Sequence, residues 1–220
     1  EKKRTMKKRN FFTLATLFVA LLAHSQQSAE ARALLDKSYA AFETSKGIHL
    51  TFRATTTGSD GSEQMAMEGT AYIRGNKFKL ETNEMDIWFD GTTQWVLMKE
   101  INEVNISNPT SEEITAVSPL ALLGIYRNGY LLSAPVSRTI HGKKLQLIRM
   151  TPATDNKAYK SVDALIDPNG LALKEVMLTL RNGTIQMITI SGYNANHNFS
   201  DAEFRFDRSR YPHAEIIDLR

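Results

Sequence analysis

Apolar residues recur at helical spacing once, near the start of the chain, and then alternate with polar ones for most of its length. Ser28 to Thr44 carries Ala31, Leu34, Leu35, Tyr39 and Phe42 on one stripe, with Glu30, Arg32, Asp36, Lys37 and Glu43 opposite and Gly47 just beyond. That spacing predicts an amphipathic helix that packs its single apolar stripe on a sheet. From Ile48 the period becomes two: Ile48, Leu50, Phe52 and Ala54 share one face, and His49, Thr51, Arg53 and Thr55 the other. Met65, Met67, Gly69, Ala71 and Ile73 continue the alternation after the turn Ser59-Asp60-Gly61, and Phe78 and Leu80 do so after Arg74-Gly75-Asn76. Later runs cover Leu145 to Met150, Ser161 to Ile166, Leu171 to Leu180 and Ile185 to Ile190, the last three joined by Asp167-Pro168-Asn169-Gly170 and Arg181-Asn182-Gly183-Thr184. Short β runs at hairpin spacing predict a mainly β fold, an antiparallel meander of about eleven strands.

The segment from Ile87 to Ile125 breaks this rhythm. Asp90-Gly91 lies between two aromatic β runs, Ile87 to Phe89 and the run containing Trp95 and Leu97, and signals a hairpin. Pro109 ends the strand after it. Thr110 with Glu113 three residues on forms a capping box, and Ser118-Pro119 offers a second helix start, with Ser118 as cap and Pro119 at the first helical position. The second helix, Leu120 to Ile125, is almost wholly apolar. A short apolar helix between β runs has to cover something apolar, which makes it the expected lid of a cavity.

The first residues alter the charge argument. Lys7, Lys8 and Arg9 precede an apolar run from Phe11 to Ala23, and Ala23-His24-Ser25 has the small-x-small form of a cleavage site. Residues 1–25 are therefore expected to be a signal peptide and 26–220 an exported, soluble domain. The chain is formally +3, but the leader holds six basic residues and one acid; without it 21 basic residues face 23 acidic ones, a net of −2. The basic excess that phosphate binding requires is absent, so no nucleic-acid partner is expected. With no cysteine the fold has no disulfide to stabilise it and must rest on its core.

Signatures of catalysis are missing. His24, His49, His141, His197 and His213 fall at no metal-ligand spacing, and there is neither a Gly-x-Ser-x-Gly elbow nor a phosphate-cradling glycine loop. Glu113 is explained by capping, and His141-Gly142 and Asp167 to Gly170 by turns. Neither a catalytic residue nor a metal or cofactor is expected. A hydrolase is left without a visible nucleophile–base pair.

What those readings do not explain is an apolar excess around the lid: Met65, Met67, Trp88, Phe89, Trp95, Met98, Leu120, Leu122 and Leu123. Methionine and aromatic side chains suit a wall facing varied apolar ligands, and an ordinary core would use them as well.

Four segments carry a resemblance. Arg74-Gly75-Asn76-Lys77-Phe78-Lys79-Leu80, Phe89-Asp90-Gly91-Thr92-Thr93-Gln94-Trp95, Ser118-Pro119-Leu120-Ala121-Leu122-Leu123 and the ending from Phe204 to Asp218 occur in the order found in the periplasmic outer-membrane lipoprotein carrier family (LolA-like). The resemblance implies an unclosed antiparallel β half-barrel plugged by helices, with a monomeric carrier function. It implies acylated lipoproteins as cargo, an inner-membrane releasing complex and an outer-membrane acceptor. By position, Phe78 and Leu80 resemble wall residues, Leu120 and Leu123 lid residues, and Arg74 the arginine that latches the lid. Phe52, Met67, Phe89, Trp95 and Leu97 complete the expected lipid-binding set. Two departures stand out: Gly75 where the family usually has proline, and Leu80 at a position often aromatic. A lipid- or lipoprotein-binding sensor on the same fold is the alternative function.

Overall fold

The computed structural model describes residues 29–111, 113, 114, 118–155 and 158–220, with the backbone alone for Pro119 and Leu120. The expected signal peptide lies outside the described residues. Helix α1 covers 29–43, where Ala31, Leu35 and Phe42 are buried and Glu30, Arg32 and Glu43 face solvent. The six-strand meander that follows consists of β1 (Ile48–Thr57), β2 (Glu63–Arg74), β3 (Lys77–Thr82), β4 (Met85–Phe89), β5 (Gln94–Met98) and β6 (Glu103–Ser107). A second meander comprises β7 (Tyr130–Leu132), β8 (Val136–Ile140), β9 (Lys143–Pro152), β10 (Tyr159–Ile166), β11 (Leu173–Leu180) and β12 (Ile185–Asn194). Between them lies the lid helix α2 (Pro119–Gly124), which runs on into a 3-10 turn at Ile125–Arg127.

The two meanders form one unclosed sheet because β1 pairs with β2 on one side and β12 on the other. That seam carries a bulge between Thr51 and Phe52. Among the described strands every pairing is antiparallel except at one edge, where β13 (Glu215–Asp218) runs parallel to β6. The opposite edge is formed by β7 and β8, which pair with successive parts of β9. Thirteen strands result among the described residues. Of the three without a counterpart in the sequence reading, β7 is only three residues, β8 is exposed throughout, and β13 is a four-residue parallel strand.

Turn chemistry sets the hairpins. Asp167 accepts backbone N–H bonds from Asn169 and Gly170 at 2.9 and 3.2 Å, and Asp90 accepts from Thr92 and Thr93 at 3.1 and 3.0 Å, which makes 90–93 a four-residue loop. The expected capping box forms as well: the Thr110 N–H donates to the Glu113 carboxylate at 2.7 Å.

The sheet has two differently covered faces. Its inner face packs on α1 and α2 in a core that includes Leu50, Ile73, Phe78, Ile148, Val162 and Ile166. Its outer face, beside β4–β6, carries a smaller cluster of Trp88, Leu97, Val104 and Ala214 with Trp95 and Phe206 packed against it. The chain after β12 supplies the cover there, through 3-10 turns at Asp201–Phe204 and Arg208–Arg210. Among the described residues no helix is long and apolar enough to cross a membrane.

Candidate functional site

Strand register brings one set of side chains together on the inner face. Phe52 and Ala54 of β1 stand opposite Gly69 and Met67 of β2, and opposite Ile190 and Ile188 of β12. Ala71 faces Leu80, Leu80 faces Ile87, and Val176 and Leu178 of β11 continue the row beyond Ile188 and Gln186. A side chain at position 69 would meet the Phe52 ring at 2.9 Å and the Glu81 carbonyl oxygen at 2.5 Å, so glycine there makes the room that the phenyl ring fills.

These residues enclose a cavity of about 290 Å³ across the β1–β12 seam. That is near the lower end of small-molecule pockets, roughly 300–1,000 Å³. Its lining is aliphatic, aromatic or methionine apart from Thr55, Thr56 and Gln186. Burial grades along it. Leu50, Ala71, Leu122 and Leu173 at one end are almost fully buried, whereas Met65 near the β1–β2 turn is 57% exposed. The mouth therefore lies at that turn, and the closed end lies under α2.

The lid is held from its far side. Ser118 accepts the Ala121 N–H at 3.3 Å as the expected cap, and the helix presents Leu122 to the cavity while Leu123 is buried in the core. The chain then grips α1. Tyr126, itself buried, donates its hydroxyl to Asp36, and Arg127 donates through Nε to the Tyr126 hydroxyl oxygen at 3.1 Å. The Arg127 guanidinium also lies 3.7 Å from the centre of the Tyr39 ring. Burial, and then the bond to Asp36, push the Tyr126 phenol up to about 12. Gly124 sits against the same helix, since a Cβ there would come within 2.7 Å of the Tyr39 ring.

The expected site residues disperse in an instructive way. Phe52, Met67 and Leu80 line the cavity. Phe78 and Phe89 contact one another, ring centres 5.3 Å apart, within the inner core and off the cavity wall. Trp95 and Leu97 are corrected: they belong to the outer-face cluster with Trp88 and Val104. The cause is register. Phe78 faces Phe89 and Phe89 faces Gln94, so the inward positions of β5 are even-numbered and Trp95 and Leu97 point the other way. The side chain of Leu120 is outside the described residues.

Arg74 is corrected too. Its guanidinium donates to the Phe199 carbonyl and to the Asp201 carboxylate, with Lys77 on the same carboxylate at 2.6 Å, and it lies 5.4 Å from the Phe204 ring centre. It fastens the segment after β12 to the β2–β3 turn and, among the described residues, makes no lid contact. The lysine and the arginine hold the Asp201 carboxyl below the usual carboxylate range. Leu122, which the sequence singles out only within the apolar excess around the lid, also lines the cavity; the residues missed by sequence reasoning are Met85 and Ile87 of β4 and the part of the wall from β11 and β12. Alternation at Val176, Leu178, Ile188 and Ile190 is visible in the sequence, but nothing local says that β12 closes against β1.

Among the described residues no group of three or more histidine, aspartate or glutamate side chains could hold a metal ion. The arrangement offers apolar enclosure, one open end and a helix that closes the other.

Comparisons place this geometry. An uncharacterised conserved protein from Thermus thermophilus shares the fold at a TM-score of 0.59 and 9% identity, over 86% of this chain and 99% of that one. A LolA superfamily protein from Nitrosomonas europaea is similar at 0.45 and 11%, over 80% and 97% of the two chains. The Mycobacterium tuberculosis lipoprotein LppX is similar at 0.42 and 21%, over 82% and 98%. No curated protein matches the chain. Residues 21–184 match the family described as outer membrane lipoprotein carrier protein LolA, and the match spans well over half the sequence: the chain belongs to that family.

Proposed function

We propose that the protein is an exported, non-enzymatic carrier in the periplasm that shelters an acyl chain of a lipoprotein in the inner-face cavity and yields it to an outer-membrane acceptor. The observation that carries this reading is the cavity itself, apolar on nearly all sides and open near the β1–β2 turn. Each methylene removed from water is worth about 0.8 kcal/mol, so even part of one chain repays enclosure. Phe52, Met67 and Leu80 would grip the chain from the first meander and Ile188 and Val176 from the second, with Leu122 at its tip. The reading also has an inner-membrane complex releasing the cargo to the protein.

The test is lipid and protein mass spectrometry of material co-purified from the periplasm, followed by incubation of the loaded protein with outer-membrane vesicles. A carrier co-purifies with acylated lipoprotein and transfers it to the vesicles. Retention of the ligand in the presence of acceptor membrane would instead identify a sensor, and absence of any acylated ligand would remove the reading.

A further inference from the structure

Methionine is concentrated at this cavity. Four of the chain's eight methionines, Met65, Met67, Met85 and Met187, line this one cavity, and the chain has no cysteine. Met65 and Met67 stand on β2 opposite Thr56 and Ala54, in register with the inner face, whereas Met187, opposite Thr55, alternates with the inward Gln186 and Ile188 of β12 and borders the cavity from the neighbouring position. Met65 is largely exposed and the other three are partly so, whereas Met150, in the inner core, is sealed.

We infer that this ring of thioethers is a modification site at which peroxide-type oxidants switch off binding of an apolar chain; the inference rests on the carrier reading above. A two-electron oxidation transfers one oxygen from hydrogen peroxide to the sulfur. The O–O bond breaks, an S–O bond forms, and water leaves. The product is a polar sulfoxide in place of a flexible apolar side chain. Its oxygen accepts hydrogen bonds, and among the described residues the donor side chains lining the cavity are Thr55, Thr56 and Gln186. A chain entering the mouth would have to strip water from sulfoxides that few groups can satisfy, which opposes binding. The change is reversible by methionine sulfoxide reductases, so a sulfoxide mouth is a state the cell can restore.

The experiment treats the purified protein with hydrogen peroxide, removes the excess with catalase, maps sulfoxides by peptide mass spectrometry and titrates dansyl-undecanoic acid. Oxidation is expected at Met65, Met67 and Met187 ahead of Met150, with Kd raised about tenfold, the scale set by one poorly satisfied polar group. Reductase treatment should return the original Kd. A variant with Met65, Met67, Met85 and Met187 all replaced by leucine conserves volume; whatever Kd it shows untreated, peroxide should leave that Kd unchanged. Unchanged affinity with sulfoxide confirmed at the mouth would overturn the inference, as would mouth methionines that resist peroxide while Met150 reacts. Failure of the untreated protein to bind the probe would remove the carrier reading together with the inference.

Discussion

Gly124 and Tyr126 decide how the lid sits on α1. The glycine has an ordinary helical backbone, φ −87°, so replacing it introduces no backbone strain; the obstacle is the Tyr39 ring 2.7 Å from where a Cβ would stand. Gly124→Ala is therefore expected to push α2 off α1 and to cost about 1–3 kcal/mol, as overpacking does. The signature is faster hydrogen exchange confined to 119–127, and unaltered exchange there would show that the contact yields freely. Tyr126→Phe removes a hydroxyl bonded to a carboxylate, an interaction worth about 1.5–3 kcal/mol. Asp36 is half-exposed and can rehydrate, so the loss in urea unfolding should sit at the lower end of that range. The Arg127 stack on Tyr39 remains in that variant, which separates the bond from the packing.

At the scale of elements, the faces of β3, β4 and β5 divide binding from support. Trp95→Ala empties part of the outer cluster and is expected to cost about 3 kcal/mol, modest for a tryptophan because the ring is only partly buried. Affinity for an acyl probe should not change. Leu122→Ala trims the lid at the cavity and should weaken the same probe several-fold, at about 2 kcal/mol of stability, because the site already borders a void. A loss of affinity in the Trp95 variant equal to that in the Leu122 variant would contradict the division. Much of this layer is legible in the sequence: α1, the caps at Thr110 and Ser118, and ten strands follow from periodicity and turn residues. The wall is less so. Alternation tells which residues share a face within one strand, but which face of β5 matches which face of β3 depends on the hairpins at 83–84 and 90–93, and their parity puts Trp95 outside. Arg74 escapes for another reason. Its partners Phe199 and Asp201 lie more than a hundred residues away, and no local pattern announces them.

Across the molecule, charge sets a pH window. Burial raises the Glu81 carboxyl, but the bond from Lys79, and then that from Tyr72 at 2.9 Å, outweigh it and hold the group low. Its contribution to stability is present above the ordinary glutamate value of about 4.3 and is lost as pH falls through the depressed folded value. Tyr72 and Tyr126 are shifted the other way, from 10.0 to about 12, first by burial and then by carboxylate bonds. Their contributions are complete below 10.0 and disappear as pH rises toward about 12. Urea midpoints should accordingly be flat at neutrality and decline at both extremes. Glu81→Gln should flatten the acid limb and Tyr126→Phe the alkaline one; limbs of unaltered steepness would assign the decline to other groups. The seam between β1 and β12 governs something else, the order of events during synthesis. Thr51 pairs with Thr70 soon after it is made, but its other neighbour, Gly192, is 141 residues further along. Until then β1 offers an unpaired edge beside a half-built apolar face. Such long-range closure is slow, on a scale of roughly milliseconds to seconds, and leaves strands open to wrong partners. The nascent half-sheet thus exposes, until β12 arrives, the same inner surface that later walls the cavity.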